Sequence, residues 1–142
     1  MSSPTEDDMV ALRRLVKYLI GRPRLVNVFP YRHEPQYLQC WVDADWAGFV
    51  RTRRSTSGGG IKLGTHTIKI WTGTQASIAL SSGESEYYAL VKGISQCLGI
   101  QSLLKDFGRD IKIRVFTDST AAQGIAQRVG LGKTRHVSVH SL

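Results

Sequence analysis

The first part of the chain carries apolar residues at helical spacing and predicts one amphipathic helix from Thr5 to Ile20. The apolar stripe recurs every three or four positions and consists of Leu12, Leu15, Val16 and Leu19. Thr5 is a suitable N-cap, and the three acids that follow it match the positive end of the helix dipole. Gly21 and Pro23 end the helix, and a short extended segment is predicted from Leu25 to Phe29.

From Tyr37 onward the pattern changes to short apolar runs between polar turns, which predicts strands and two further helices. Tyr37–Asp43 is apolar on both faces, as is typical of a central, covered strand. The polar, glycine-rich stretch from Phe49 to Gly60 is predicted to be a loop. The other predicted elements are, in order, a hairpin of Ile61–Leu63 and Thr67–Trp71, a long helix from about Ser82 to Asp106, a strand at Ile111–Thr117, a helix at Ser119–Val129 and the start of a strand at His136–His140.

The composition is that of one folded domain with an excess of positive charge. The chain has 142 residues, of which 42% are hydrophobic and 21% charged, so it is too short for two ordinary domains and too apolar for a disordered tail. Lys and Arg outnumber Asp and Glu by 19 to 11, which gives a net charge of +8. Such a charge favours a polyanionic partner.

Two features of the sequence bear on the compartment. Cys40 and Cys97 make neither a disulfide framework nor a zinc site, which suits a reducing intracellular environment. The first residues are acidic and lack the apolar core of a signal peptide, and no apolar run is long enough to span a bilayer. We therefore expect an intracellular chain without a membrane partner.

Acidic residues lie where the predicted strands and the long helix meet. Asp43 ends the first predicted strand and Asp118 ends the fourth, so their carboxylates are expected to converge on one crevice. Glu84 and Glu86 both lie near the start of the long helix, on opposite flanks of its apolar stripe, and periodicity does not decide between them. Divalent cations such as Mg²⁺ would relieve the repulsion in such a cluster. The spacing alone supports equally well an alternative in which both aspartates are ordinary turn residues.

Short motifs surround these acids in a fixed order. They read Val-Asp-Ala-Asp-Trp-Ala-Gly at 42–48, Arg-Ser-Thr-Ser-Gly at 54–58, Ala-Leu-Ser-Ser-Gly-Glu-Ser-Glu-Tyr at 79–87, Phe-Thr-Asp-Ser at 116–119 and Lys-Thr-Arg-His-Val at 133–137. From residue 37 to residue 142 the series resembles the ribonuclease H domain of copia-type LTR retrotransposon Pol polyproteins. Residues 1–36 resemble the end of the connecting region that follows reverse transcriptase in these polyproteins.

The resemblance implies an α/β fold, with a ribonuclease H-like mixed β-sheet flanked by helices. It implies a metal-dependent endonuclease that hydrolyses the RNA strand of RNA–DNA hybrids during reverse transcription, with two Mg²⁺ ions for which Mn²⁺ can substitute. The implied partners are the hybrid and the reverse transcriptase domain of the same polyprotein. The implied locations are the cytoplasm, virus-like particles or the nucleus.

The resemblance also assigns the catalytic and metal-binding acids. Asp43 and Asp118 match the family's first-strand and fourth-strand acids. Glu86 is chosen as the helix acid because it fits the family's E-[YL]-x-A pattern, and Ala89 and Gly93 beyond it leave room for a strand end.

Substrate contacts are predicted around these acids. The predicted set is Arg53, Arg54, Ser55, Thr56, Ser82, Ser119 and His136. The two arginines and the hydroxyls after them are expected to grip successive phosphates, the alternative being a solvated basic loop. For His136, a role near the site and a hydrogen-bonded surface histidine are equally supported.

Departures from the family's pattern support a rival hypothesis. The family's fourth carboxylate lies in an N-x-A-D motif that does not occur in this sequence, and Ser138 stands where the family has an aspartate. The ribonuclease H domain is therefore expected to be incomplete at its C-terminal end and to lack the last helix. The rival hypothesis is a catalytically weak or inactive nucleic-acid-binding module, a truncated remnant with the same fold. A third, an integrase-like nuclease, is disfavoured by the long helix between the third and fourth strands.

Overall fold

The computed structural model describes residues 4–24 and 26–128, and the chain divides into two compact units, Met1–Pro30 and Tyr31–Leu142. The helices and strands are α1 (Glu6–Gly21), β1 (Tyr37–Phe49), β2 (Arg54–Leu63), β3 (His66–Thr74), α2 (Ser82–Asp106), β4 (Lys112–Phe116) and α3 (Thr120–Ala126). The strand predicted at 136–140 lies outside the described residues. Among the described helices, none combines the length and the apolar character that a membrane crossing requires.

The first unit contains α1, which begins where the sequence predicts. Thr5 is the N-cap: its Oγ1 accepts a hydrogen bond from Asp8 N at 3.2 Å, and Asp8 Oδ2 accepts one from Thr5 N at 2.8 Å. The apolar stripe of α1 is exposed. The extended segment predicted at 25–29 belongs to no strand over its described residues, 26–29. No neighbouring strand is described in this unit with which it could pair.

The second unit is built on a four-stranded mixed sheet with the order β3-β2-β1-β4. The first three strands are antiparallel, and β4 pairs parallel with β1. A parallel return needs a crossover, and the 25-residue α2 supplies it. The predicted α/β, ribonuclease H-like fold is confirmed.

The core lies between this sheet and α2. Alternate residues of β1 are buried, and Leu38 and Cys40 have no exposed surface. A Cβ added at Gly93 of α2 would lie under 3.0 Å from Val42, so the missing side chain allows the helix to approach β1. Burial raises the pKa of Cys40 to about 12, with its neighbour Cys97 adding to the shift, so both thiols belong to the core.

The prediction of a loop at 49–60 is wrong for most of these residues. β1 continues to Phe49, a short turn follows, and β2 begins at Arg54. Trp71 of β3 is paired with Gly59. Its indole ring occupies the space that a Cβ of Gly59 would take, so a glycine is needed at this position of the strand. β2 is also hydrogen-bonded on both edges, so its glycines are held by two neighbouring strands.

Candidate metal centre

Three carboxylates from three separate elements meet at one edge of the second unit. Asp43 lies on β1, Glu86 on α2, and Asp118 two residues beyond the end of β4. Each offers an oxygen within 4.8 Å of the others. The residues that the sequence selects as catalytic and metal-binding acids are therefore neighbours in space, and together they can hold a metal ion.

The parallel pairing of β1 with β4 places the two aspartates side by side. The last pair in register is Trp41 with Phe116, and each aspartate lies two residues further along its own chain segment. Asp43 does not end its strand, as the sequence suggests, because β1 runs on beside β2, where Asp43 is paired with Gly58. It lies where β1 extends beyond its shorter partner β4, which exposes its carboxylate.

Glu86 reaches the pair from the second turn of α2. Its Oε1 accepts a hydrogen bond from Ala44 N at 3.3 Å, which joins the helix acid to the strand next to Asp43. Its Oε2 is buried and has no hydrogen-bond partner among the described residues. Burial raises the pKa of Glu86, and the charges of Asp43 and Asp118 raise it further, against the opposing effect of the Ala44 N–H.

The other glutamate of this helix has a structural role. Glu84 is 4% exposed and accepts hydrogen bonds from Leu80 N at 2.8 Å and from Tyr88 Oη at 2.9 Å. Ser81, the N-cap of α2, accepts a hydrogen bond from Glu84 N at 3.2 Å. Glu84 therefore fixes the start of α2, while Glu86, one half-turn further on, is the glutamate that meets the aspartates. Periodicity does not distinguish the two glutamates, whereas the structure gives them different partners.

The donor set suits a hard divalent cation. Carboxylate oxygens are the ligands that Mg²⁺ and Mn²⁺ prefer, and an ion would supply the partner that Glu86 Oε2 lacks. It would also relieve the repulsion among the three acids. The salt bridge found among the described residues joins Arg109 to Glu34 and involves none of them. The residues present therefore fit such an ion.

The predicted substrate contacts lie in different settings. Arg53 and Arg54 are exposed at the turn between β1 and β2, where Arg53 adopts a positive φ of 56°. Thr56 is partly exposed on β2. Ser55 is fully buried, and its Oγ accepts a hydrogen bond from Ala47 N at 3.1 Å, so it supports the hairpin and its predicted contact with phosphate is wrong.

The remaining predicted contacts lie at helix starts or outside the described residues. Ser82 is exposed in the first turn of α2. Ser119 is the N-cap of α3, next to Asp118, and its Oγ accepts a hydrogen bond from Ala122 N at 3.1 Å. His136 lies outside the described residues.

Comparisons with known proteins place the chain in a family. No family model matches it. It is 35% identical over 108 residues to two retrovirus-related Pol polyproteins of Arabidopsis thaliana, those of transposons RE1 and RE2; the match covers 76% of the chain and 7% of each polyprotein. The Pol polyprotein of transposon TNT 1-94 from Nicotiana tabacum is 23% identical over 141 residues, which are 98% of the chain and 10% of that polyprotein.

A shorter relative is also similar. Secreted RxLR effector protein 161 of Plasmopara viticola is 36% identical over 97 residues, which are 68% of the chain and 68% of that protein. The chain thus spans a small part of the polyproteins that it matches and two thirds of this effector. It belongs to the family of domains related to the Pol polyproteins of copia-type retrotransposons.

Proposed function

We propose that this chain is a ribonuclease H domain that hydrolyses the RNA strand of RNA–DNA hybrids during retrotransposon reverse transcription. The observation that carries the proposal is the carboxylate cluster, in which Glu86 Oε2 is buried without a partner beside Asp43 and Asp118. A buried carboxylate oxygen with no hydrogen bond is costly unless a cation completes it. The Pol polyprotein relatives support the retrotransposon setting.

In this proposal the three acids would hold divalent ions, and Mg²⁺ or Mn²⁺, when bound, would activate water for attack and stabilise the leaving oxygen of the phosphodiester. The chain's own contribution is to fix the ligands. Ala44 N–H orients Glu86 Oε1, and this hydrogen bond fixes the carboxylate of Glu86 near the two aspartates. The parallel register of β1 and β4 sets the spacing of Asp43 and Asp118.

Substrate binding is assigned to exposed positive charge near this edge of the sheet. Arg53 and Arg54 lie at the tip of the hairpin whose first strand carries Asp43, and both are exposed. A hybrid that meets the acids with one strand would have phosphates within reach of this turn, and the net charge of +8 favours its approach. Residues 1–36 are assigned to the connecting region, with the reverse transcriptase domain as the neighbour in the polyprotein. The intracellular location follows from that role.

The deciding experiment is cleavage of a labelled RNA–DNA hybrid by the chain in Mg²⁺ and in Mn²⁺. We expect cleavage of the RNA strand, lowered at limiting metal by at least the roughly 10–100-fold typical of losing an outer-shell partner, since Asp43→Asn, Glu86→Gln and Asp118→Asn each remove a charged ligand. Asp106→Asn, at the far end of α2, is the matched control and leaves the rate unchanged. Folded variants are identified by unchanged circular dichroism spectra.

A metal-binding measurement separates the enzyme from an inactive remnant. If Mg²⁺ raises the melting temperature of the wild type but not of Asp43→Asn, the acids bind metal in the folded state. Metal binding and hybrid binding without any cleavage, in either ion, would reject the nuclease and support the nucleic-acid-binding module instead.

The salt dependence of hybrid binding tests the role of the hairpin turn. Replacing Arg53 and Arg54 with alanine is expected to reduce the slope of log K against log salt by about two, because two phosphate contacts are lost. The same double change at Arg13 and Arg14 of α1 has an equal effect on net charge and is the control. If both double variants shift the slope equally, the turn has no specific role in binding.

A further inference from the structure

The two cysteines of the chain are neighbours where α2 packs on β1, outside the metal centre. Cys40 lies on β1 and Cys97 on α2, and both are fully buried in one core cluster. A Cβ placed on Gly93 would lie 3.1 Å from Cys40 Sγ, and Cys97 follows Gly93 by four positions, on the same face of the helix. Cys40 and Cys97 are called the thiol pair below.

The two thiols of the pair interact directly. Burial raises the pKa of both cysteines, the nearby Cys97 raises that of Cys40 further, and a hydrogen bond joins the two side chains. A disulfide needs its two Cα atoms within about 7 Å of each other. The missing side chain of Gly93 favours such an approach, because an added Cβ would lie under 3.0 Å from Val42 of β1.

The thiol pair connects the two elements that carry Asp43 and Glu86. Cys40 precedes Asp43 by three residues on β1, and Cys97 follows Glu86 by eleven residues, about three turns, on α2. A covalent bond between the two sulfurs would therefore prevent α2 from separating from β1. The cysteines are 57 positions apart in the sequence, so only the packing of the helix on the strand reveals them as a pair.

We propose that the thiol pair is a redox-sensitive cross-link, which a small-molecule disulfide such as oxidised glutathione converts into a Cys40–Cys97 disulfide. One cysteine thiolate attacks a sulfur of the oxidant and releases one glutathione thiolate, which leaves a mixed disulfide on the protein. The second cysteine thiolate attacks the protein sulfur of that mixed disulfide and releases the second glutathione. The pair loses two electrons and two protons, and the oxidant is reduced to two thiols.

Burial determines when this exchange occurs. A thiol reacts as its thiolate and only where the oxidant can reach it, and neither condition holds while the core is closed over Cys40. The cross-link therefore forms in molecules that have opened, and refolding brings the second thiol onto the mixed disulfide. Once formed, the bond stabilises the folded state, because it restricts the unfolded chain. The inference does not depend on the proposed nuclease activity.

Incubation of the full chain with oxidised glutathione, in EDTA, tests the inference by alkylation of the remaining thiols and mass spectrometry. We expect a monomer lighter by two hydrogens, without an alkylated cysteine, and a digest in which one peptide pair is joined through Cys40 and Cys97. Without reductant, its melting temperature should exceed that of the reduced chain by roughly 10 °C or more, since the bond closes a long loop. Low concentrations of urea should accelerate the oxidation, because they populate the open form.

A matched control moves one cysteine along the helix. The double variant Cys97→Ala with Ser95→Cys keeps two cysteines but places one at an exposed position of α2. It should form a glutathione adduct at that position and no internal bond. Asp43→Asn should form the same cross-link as the wild type, which separates the thiol pair from the metal centre.

Several results for the wild type would overturn the inference without reference to any variant. These are glutathione adducts or disulfide-linked dimers in place of the internal bond, no oxidation even in urea, and an internal bond that does not raise the melting temperature. Excess reduced glutathione should reverse the cross-link in molecules opened by urea. A bond that persists there would be a permanent one, and the pair would not be redox-sensitive.

Discussion

The two faces of the sheet are made by the same strands and have opposite characters. On the face under α2, Leu38 and Ile61 have no exposed surface. On the other face, Ile70 is 76% exposed, and Trp41 is 41% exposed while stacking on Phe116 at 5.1 Å. Because successive side chains of a strand point to opposite faces, a one-residue step separates core from surface. The covered face therefore supplies most of the stability of the sheet.

The exposed face is basic as well as aromatic. Lys62 lies 5.4 Å from the centroid of the Trp41 ring, and Arg114 lies 3.9 Å from that of Tyr37. Lys62 and Phe116 both contact the Trp41 ring, and Arg114 covers one face of the Tyr37 ring.

The largest expected difference between the faces concerns two isoleucines on neighbouring strands. Ile61→Ala removes a fully buried side chain and should lower the free energy of unfolding by about 2–5 kcal/mol. Ile70→Ala, the same change at an exposed position, should alter it by less than about 0.5 kcal/mol. Urea denaturation of both variants measures the difference. Similar losses would mean that something covers the face of Ile70.

Two glycines of α2 offer a second comparison, with opposite signs. Gly93→Ala places a Cβ under 3.0 Å from Val42, and such overpacking should cost about 1–3 kcal/mol. Gly99 has nothing within 4 Å of an added Cβ, so Gly99→Ala should stabilise the helix by up to about 1 kcal/mol. Thermal unfolding of the two variants under one condition tests this. A stabilising Gly93→Ala would contradict the close packing of α2 on β1.

The aromatic pair of the exposed face should contribute less. A double-mutant cycle with Trp41→Leu and Phe116→Leu should give a coupling energy of about 0.5–1.5 kcal/mol, the usual value for stacked rings beyond their burial. Chemical denaturation of the two single variants and the double variant supplies the three numbers. Additive losses would show that the stacking does not stabilise the fold.

The smallest effect concerns the acidic cluster without metal. The pKa of Glu86 is raised above its ordinary 4.5, so the folded state holds this proton more tightly than the unfolded state. The wild type should therefore lose stability relative to Glu86→Gln as pH rises from 4.5 through the raised pKa, and the difference should be complete above it. Melting temperatures of the wild type and of Glu86→Gln across pH, in EDTA, measure this difference in stability. Mg²⁺ should remove the difference. A glutamine variant that is less stable at every pH would contradict the electrostatic cause.

The sequence by itself determined the order of the elements and the identity of the acids. The cap of α1 could be predicted because Thr5 and the acids after it act within one helical turn. The choice of Asp43, Glu86 and Asp118 depended on family motifs, since periodicity alone left Glu84 and Glu86 equivalent. The structure then brought those three side chains together.

Tertiary structure alone decided the conformation of the glycine-rich segment and the burial of Ser55. A loop was predicted at 49–60 because local propensity does not show that Trp71 fills the space over Gly59, which exists only once β2 and β3 pair. Ser55 has the sequence context of a phosphate contact, yet the same pairing buries it. Local patterns report interactions between near neighbours, whereas burial and partners across the sheet depend on contacts between residues distant in sequence.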